Sequence, residues 1–369
     1  MTSQTSNGGA SAAGPSQAAP HSPERGDSTY YPAFDWLRGC LAVVVMLYHD
    51  KLLAWTHAGN FAVVVFFALS GWLIGGILLQ LTRADLPRFF FNRSIRIWIP
   101  YYIALALLVS ASLLRDHVTM KWLEFVAYKV GFVYNLFGTQ QLATNVLGMP
   151  LQGTGNHFWS VNAEEQFYLL SPLLLVLAPA RWGRHPFTWV VIAALAVWAE
   201  YYGGIVLGVL AAVLVGRYGS FHQTPVGRAV ALTVALGAGI CLALDFHYEV
   251  VAPFCAIAIV LLLAFKGKRR PLGAIVGGMS YPLYLNHWIG VFTVNAAMKS
   301  VGLNVTSLRH IVAAVLNLGI ATAMYWWIDR RLLARRGRWF SRKRGRLVIC
   351  VGYGVTAFGV AFGLAMLAR

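Results

Sequence analysis

Residues 60–81 read NFAVVVFFALSGWLIGGILLQL, an unbroken apolar run without a charged side chain. A bilayer core needs about 20 such residues in a helix to be crossed. Backbone groups in lipid must bond to one another, so the run is read as a transmembrane helix. Similar runs recur along the 369-residue chain. Eleven candidate spans lie near 34–54, 60–81, 97–114, 161–180, 187–203, 204–216, 229–244, 250–265, 272–295, 309–328 and 347–368. The pair at 187–216 is short, and Tyr201, Tyr202, Gly203 and Gly204 mark either a tight turn or a broken helix between its halves.

Composition agrees. Hydrophobic residues make up 58% of the chain and charged residues 12%, against about a quarter charged in soluble domains. This excludes an ordinary soluble enzyme, a disordered protein and a disulfide-stapled secreted domain. The net charge of +17 does not point to nucleic acid, because the basic residues fall between the spans. Cys40, Cys241, Cys255 and Cys350 lie in or beside apolar stretches without metal-ligand spacing, as small buried side chains do. Residues 1–30 are rich in Gly, Ser, Ala, Gln and Pro. They are expected to form a disordered tail, and they lack the basic-then-apolar pattern of a signal peptide.

The basic residues also orient the chain. With the N-terminus inside, the cytoplasmic loops collect 21 Lys and Arg and the opposite loops six. The positive-inside rule therefore predicts a cytoplasmic N-terminus and, with an odd number of spans, an extracytoplasmic C-terminus. A basic cytoplasmic loop is expected at 331–346 and an additional helix at 347–369. One long outer segment follows Asp116. Its aromatic stretch from Met120 to Gly138 suits a helix at the interface or plugging a cavity.

Ionisable residues within spans are expensive and mark function by default. The first span holds Asp35, Arg38, His49 and Asp50. Arg38 and His49, eleven residues apart, share a helix face but stand roughly 16 Å apart along its axis. Arg38 followed by His49 at this spacing resembles the signature of the acyltransferase-3 family of membrane O-acyltransferases. Four further stretches match that family in order. They are Phe66 to Ile74, the Arg93-x-x-Arg96 pair with Pro100-Tyr101-Tyr102, Trp159-Ser160 leading to Glu164-Glu165-Gln166-Phe167-Tyr168, and Ser280-Tyr281-Pro282-Leu283-Tyr284-Leu285-Asn286-His287. The resemblance covers about residues 30–330. Asn162 and Asp329 depart from the family pattern.

The resemblance implies an all-α integral membrane enzyme: an acyltransferase-3-like core of about ten helices over 31–330, plus one extra C-terminal transmembrane helix. Some relatives with an added span carry an esterase-like domain after it, whereas this chain is expected to be a stand-alone transferase. The implied reaction moves an acyl group, most readily acetyl, from cytoplasmic acyl-coenzyme A to a hydroxyl of a surface or secreted glycan. Acyl-coenzyme A is a co-substrate, and no permanently bound cofactor is expected. Acylating an alcohol needs a base, and His49 is the candidate. A carboxylate should orient its ring, with Glu164, Glu165, Asp35 and Asp50 all available. Arg38, Glu164 and Glu165 are counted with His49 in the catalytic group, where Arg38 either guides the donor or pairs with a carboxylate. Arg93 and Arg96, in a cytoplasmic loop ahead of the third span, are expected to hold the donor phosphates. Trp159, Tyr281, Tyr284 and His287 are expected to line a substrate cavity. His57, His117, His157, His185, His222 and His247 fall at loop or interface positions and are given no role. No His-Glu-x-x-His, P-loop or dinucleotide fingerprint occurs, so neither metal nor nucleotide hydrolysis is expected. The competing readings are acylation of a small lipophilic acceptor, such as a macrolide or a lipid, and a non-enzymatic transporter. The latter would favour paired broken helices in repeats, and none is seen.

Overall fold

The computed structural model describes residues 30–302 and 306–368. The tail expected over 1–30 lies, apart from Tyr30, outside the described residues. Thirteen principal helices order the chain: α1 (Pro32–His49), α2 (Ala58–Leu78), α3 (Leu86–Leu113), α4 (Met120–Val130), α5 (Phe158–Pro172), α6 (Pro186–Trp198), α7 (Gly203–Tyr218), α8 (Pro225–Ala243), α9 (Tyr248–Leu263), α10 (Pro271–Ser300), α11 (Thr306–Met324), α12 (Arg330–Trp339) and α13 (Arg342–Leu367). No strand occurs among the described residues. Proline opens α1, α6, α8 and α10, where its missing N–H removes no helical bond. The side chains of Thr119, Thr224 and Ser341 cap α4, α8 and α13 by accepting from the N–H groups of Trp122, Gly227 and Arg344.

Five helical stretches are long and apolar enough to cross a membrane: 58–78, 83–113, 225–243, 307–339 and 342–367. Helices α6, α7 and α9 are apolar but shorter. Each expected span corresponds to a helix, and the uncertain pair proves to be α6 and α7, parted by a turn at 199–202. Most apolar side chains of α8 and α13 are left uncovered by protein, as lipid-facing surfaces are.

One stretch differs from expectation. The 331–346 segment is helical except at Phe340 and Ser341. A π-helical turn, Tyr325–Asp329, carries α11 directly into α12, and arginine is a good helix former once its charge faces solvent. The aromatic segment after Asp116, expected at the interface or plugging a cavity, packs inside the protein. Helix α4 buries Trp122, Phe125 and Tyr128, and Phe125 and Tyr128 share a cluster with Val360, Phe362 and Met366 of α13.

Small residues set the tightest contacts, as in other membrane bundles. Gly71 of α2 and Gly208 of α7 bring the two backbones together, and a Cβ on Gly71 would stand 2.1 Å from the Ile205 carbonyl oxygen. Along α13, Gly345, Gly352 and Gly359 recur every seventh residue and seat the helix against Pro87 and Trp98 of α3 and Gly131 after α4. Helices α1, α2, α3, α5 and α10 enclose the site.

Candidate functional site

Helix α1 runs unbroken from Pro32 to His49, so its two functional side chains lie at opposite ends of one rod. At the arginine end, Asp35 and Arg38 are an i,i+3 pair 3.6 Å apart, and the Tyr30 hydroxyl donates to Asp35. Arg93 and Arg96, expected in a loop, lie instead within α3, which begins at Leu86, and share one of its faces by the same spacing. Arg38, Arg93 and Arg96 line a cavity of about 260 Å³ that also touches Ser70, Glu164, Tyr168, Ser280, Tyr281 and Tyr284. The Arg93 guanidinium lies 5.7 Å from the Tyr168 ring centre and 5.9 Å from that of Phe89. Glu164 accepts hydrogen bonds from Ser70 Oγ at 2.5 Å and from the Tyr168 hydroxyl. Three guanidinium groups thus face one carboxylate, leaving the cavity net positive. Tyr281 donates to the Ile97 carbonyl at 3.2 Å, joining α10 to α3.

At the other end His49 is exposed, with Nδ1 2.9 Å from the Val45 carbonyl. A carbonyl only accepts, so Nδ1 carries the proton in this bond and Nε2 of the neutral ring carries the lone pair. The His287 ring lies 4.9 Å from it and the His157 ring 5.9 Å, with 4.5 Å between those two. His287 Nδ1 donates to the Tyr284 carbonyl at 2.8 Å. His157 Nε2 donates to the Leu285 carbonyl at 3.2 Å, and its buried Nδ1 has no hydrogen-bond partner. Among the described residues no group of histidine, cysteine and carboxylate side chains is arranged to hold a metal ion.

Tyr284 and Ser160 form the partition between cavity and histidines. Their hydroxyl oxygens are 2.5 Å apart, and they approach the His157 carbonyl at 3.0 and 3.2 Å. Phe66 packs against Tyr284 from α2.

The structure corrects two further parts of the sequence reading. None of the four proposed carboxylates bonds to His49. Asp50 is held instead by His310 at 2.7 Å and Arg309 at 3.7 Å from α11, while Asp35 and Glu164 serve the arginine end. Glu165 follows Glu164 by 100° around α5, so it is buried outside the cavity wall with Oε2 unpartnered. His157, given no role from sequence, is only 2% exposed and packs into the histidine cluster. The one sequence signal for it was its place two residues before Trp159, at the head of a matched motif. Lys129, one of the six basic residues assigned to the outer loops, is buried within the protein. It is 1% exposed, and its Nζ lies 3.1 Å from the Tyr134 ring centre. The remaining expected residues divide: Tyr281 and Tyr284 line the arginine cavity, His287 joins His49, and Trp159 faces a separate cleft.

Comparison with known proteins bears on this arrangement. The sequence profile of the acyltransferase domain family, Acyl_transf_3, matches residues 31–326. The chain is 25% identical over 291 residues to a Komagataeibacter xylinus protein named as the membrane-bound transacylase BcsY, covering 71% of this chain and 73% of that one. It is 28% identical over 175 residues to the peptidoglycan O-acetyltransferase OatA of Listeria monocytogenes, covering 42% and 26% respectively. Over 152 residues it is 26% identical to the O-acetyltransferase OatA of Staphylococcus aureus, covering 40% and 25%. The chain therefore matches about a quarter of the length of each OatA protein. No solved structure matches it significantly.

Proposed function

Because the chain belongs to the acyltransferase-3 family and is a membrane O-acyltransferase, we propose that it moves an acetyl group from cytoplasmic acetyl-coenzyme A to a hydroxyl of a surface or secreted glycan. The observation that carries this reading is the pairing of one net-positive cavity with a histidine cluster at the far end of the same helix. Coenzyme A ends in phosphates and reaches its thioester through a long thin arm. Guanidinium groups match phosphate in both charge and planar geometry, so Arg38, Arg93 and Arg96 anchor the nucleotide end. The arm runs along the cavity toward the partition of Tyr284 and Ser160.

His49 Nε2 then takes the proton of the acceptor hydroxyl as its oxygen attacks the thioester carbonyl. The carbon–sulfur bond breaks, and the departing thiolate takes the proton back from the imidazolium. The Val45 carbonyl, rather than a carboxylate, holds the ring in the tautomer this step needs. The printed names of the relatives support a glycan acceptor: OatA of Listeria monocytogenes is named for peptidoglycan. The distribution of basic residues supports placing the arginine end in the cytoplasm.

The test replaces His49 with Asn, whose amide can still donate to Val45 but cannot take a proton. Alkali-labile acetyl on surface glycans is compared between host strains carrying equal amounts of wild-type and His49→Asn protein. General-base loss lowers transfer by about 10²–10⁴-fold. Wild-type acetylation in His49→Asn would end the assignment of His49 as base, and glycans free of ester-linked acetyl in the wild type would end the glycan assignment.

A further inference from the structure

A second cavity, of about 380 Å³, opens on the side of the bundle where the α6–α7 turn meets the start of α9. Its volume falls within the ~300–1,000 Å³ common for small-molecule sites. Phe67 lines both cavities and so forms their shared wall.

The two walls differ in chemistry. No lysine or arginine lines the second cavity, although the chain carries a net charge of +17. Two carboxylates, Glu200 and Glu249, line it instead, and neither is in an ion pair among the described residues. A phosphate-bearing or acidic ligand is therefore disfavoured. The aromatic side chains are numerous: Trp159, Tyr201 and Tyr202 all line the space. Phe67 packs edge-on against Trp159 at 5.8 Å and Tyr202 at 5.9 Å, fixing both rings.

Amides complete the wall. Asn135 donates to the Tyr202 hydroxyl at 2.5 Å and exchanges hydrogen bonds with Gln166 at 3.0 and 2.8 Å. Asn156 accepts from the Tyr134 hydroxyl at 3.0 Å, which leaves its NH₂ group without a protein partner among the described residues. The backbone that presents the tyrosines is itself constrained. Glu200 and Tyr202 adopt φ values of 56° and 57°, a left-handed conformation uncommon outside glycine and concentrated at functional sites.

Fixed aromatic faces, amide groups and unpaired carboxylates suit a neutral ligand with hydroxyls on its edge and C–H groups on its faces. We propose that this cleft is the acceptor subsite and that it holds the uncharged end of a saccharide chain. The assignment rests on the transferase reading above and adds to it a location and a charge preference. Position favours it as well. The cleft shares the Phe67 wall with the arginine cavity, and its lining residues Asn156 and Trp159 adjoin His157 of the histidine cluster and Ser160 of the partition along the chain.

The test uses the full chain in lipid nanodiscs and measures binding of three probes by saturation-transfer NMR: cellotetraose, chitotetraose and the acidic tetragalacturonate. Acetyl-coenzyme A binding is measured on the same samples. At least one neutral tetrasaccharide should bind, tetragalacturonate should not, and Tyr201→Ala and Trp159→Ala should each weaken neutral-sugar binding at least tenfold. Tyr201 is exposed, so its replacement does not threaten the fold. Arg96→Ala should lose acetyl-coenzyme A and keep the sugar. If the wild type binds neither neutral sugar, or binds one undiminished in both aromatic variants, the cleft assignment is overturned even where acetyl-coenzyme A binds normally. Sugar binding that depends on Tyr201, in a protein that fails to bind acetyl-coenzyme A, would uphold the cleft and overturn the donor assignment instead.

Discussion

Replacing Gly277 with Ala tests whether the seam between α1 and α10 positions the arginine end. A Cβ at Gly277 would stand 2.6 Å from Asp35 Oδ1, 2.7 Å from its Cβ and 2.8 Å from its Cα. The carboxylate can swing aside, but the Cα cannot. Relief requires the helices to part from 2.8 Å to the 3.4 Å at which ordinary contact begins, a shift of at least 0.6 Å. Asp35 is the ion-pair partner of Arg38, so the shift is delivered to a cavity-lining guanidinium. A misplacement of about 1 Å can lower a rate by roughly 10²-fold, and the smaller shift here should lower acetyl transfer by about tenfold. Overpacking of this kind also destabilises by about 1–3 kcal/mol, visible as a lowered melting temperature in detergent. The assay is transfer of radiolabelled acetyl from acetyl-coenzyme A, read together with acetyl-coenzyme A affinity. Gly76→Ala serves as the control, since nothing lies within 4 Å of its Cβ position. If Gly277→Ala matches Gly76→Ala in rate, affinity and melting temperature, the seam does not position Arg38.

Two further predictions concern the partition and the buried lysine. Tyr284→Phe removes the hydroxyl shared with Ser160 and the His157 carbonyl. It should cost about 0.5–1.5 kcal/mol and raise acetyl-coenzyme A hydrolysis relative to transfer, measured as acetate released without acceptor; an unchanged ratio would show that these hydroxyls close nothing. Burial holds the Lys129 ammonium well below the usual lysine range, so between that lowered value and the ordinary ~10.4 the unfolded chain binds more protons than the folded one. Stability should therefore rise with pH through this window by at most about 1.4 kcal/mol per pH unit. Lys129→Met should be the more stable protein at neutral pH, with a gap that narrows as the medium becomes alkaline, and parallel melting-temperature profiles for the two proteins would contradict this.

Periodic and local features were legible in the sequence. Run length marked the spans, and the eleven-residue interval put Arg38 and His49 on one face, whereas Arg93 and Arg96, read as a loop, lie within α3. Features that depend on which helices become neighbours were not. Glu164 and Glu165 are adjacent carboxylates at a helix start, and only the placement of α2 and α3 around α5 decides that the first meets Ser70 while the second is turned away. A carboxylate partner for His49 was a reasonable demand of the chemistry, yet the helix supplies a carbonyl from its own previous turn. His157 sits in a loop by sequence, and only the crossing of α5 with α10 brings it to His287. The aromatic cleft draws on α2, the segment after α4, the α6–α7 turn and α9. Residues that meet from so many separate stretches have no spacing to read.

The glycine row of α13 has a consequence for the order of synthesis. Residues 342–367 leave the ribosome after α3 and α4, the elements they clasp. While they are being made, the groove formed by Pro87, Trp98 and Gly131 faces lipid or the insertion machinery. Glycine every seventh residue removes the side chain only where the arriving helix comes closest to Pro87, Trp98 and Gly131, while Val348, Ile349, Tyr353 and Val355 between them pack against the core. Those three points of close approach let the helix settle sideways into its groove, as a rod laid into a slot.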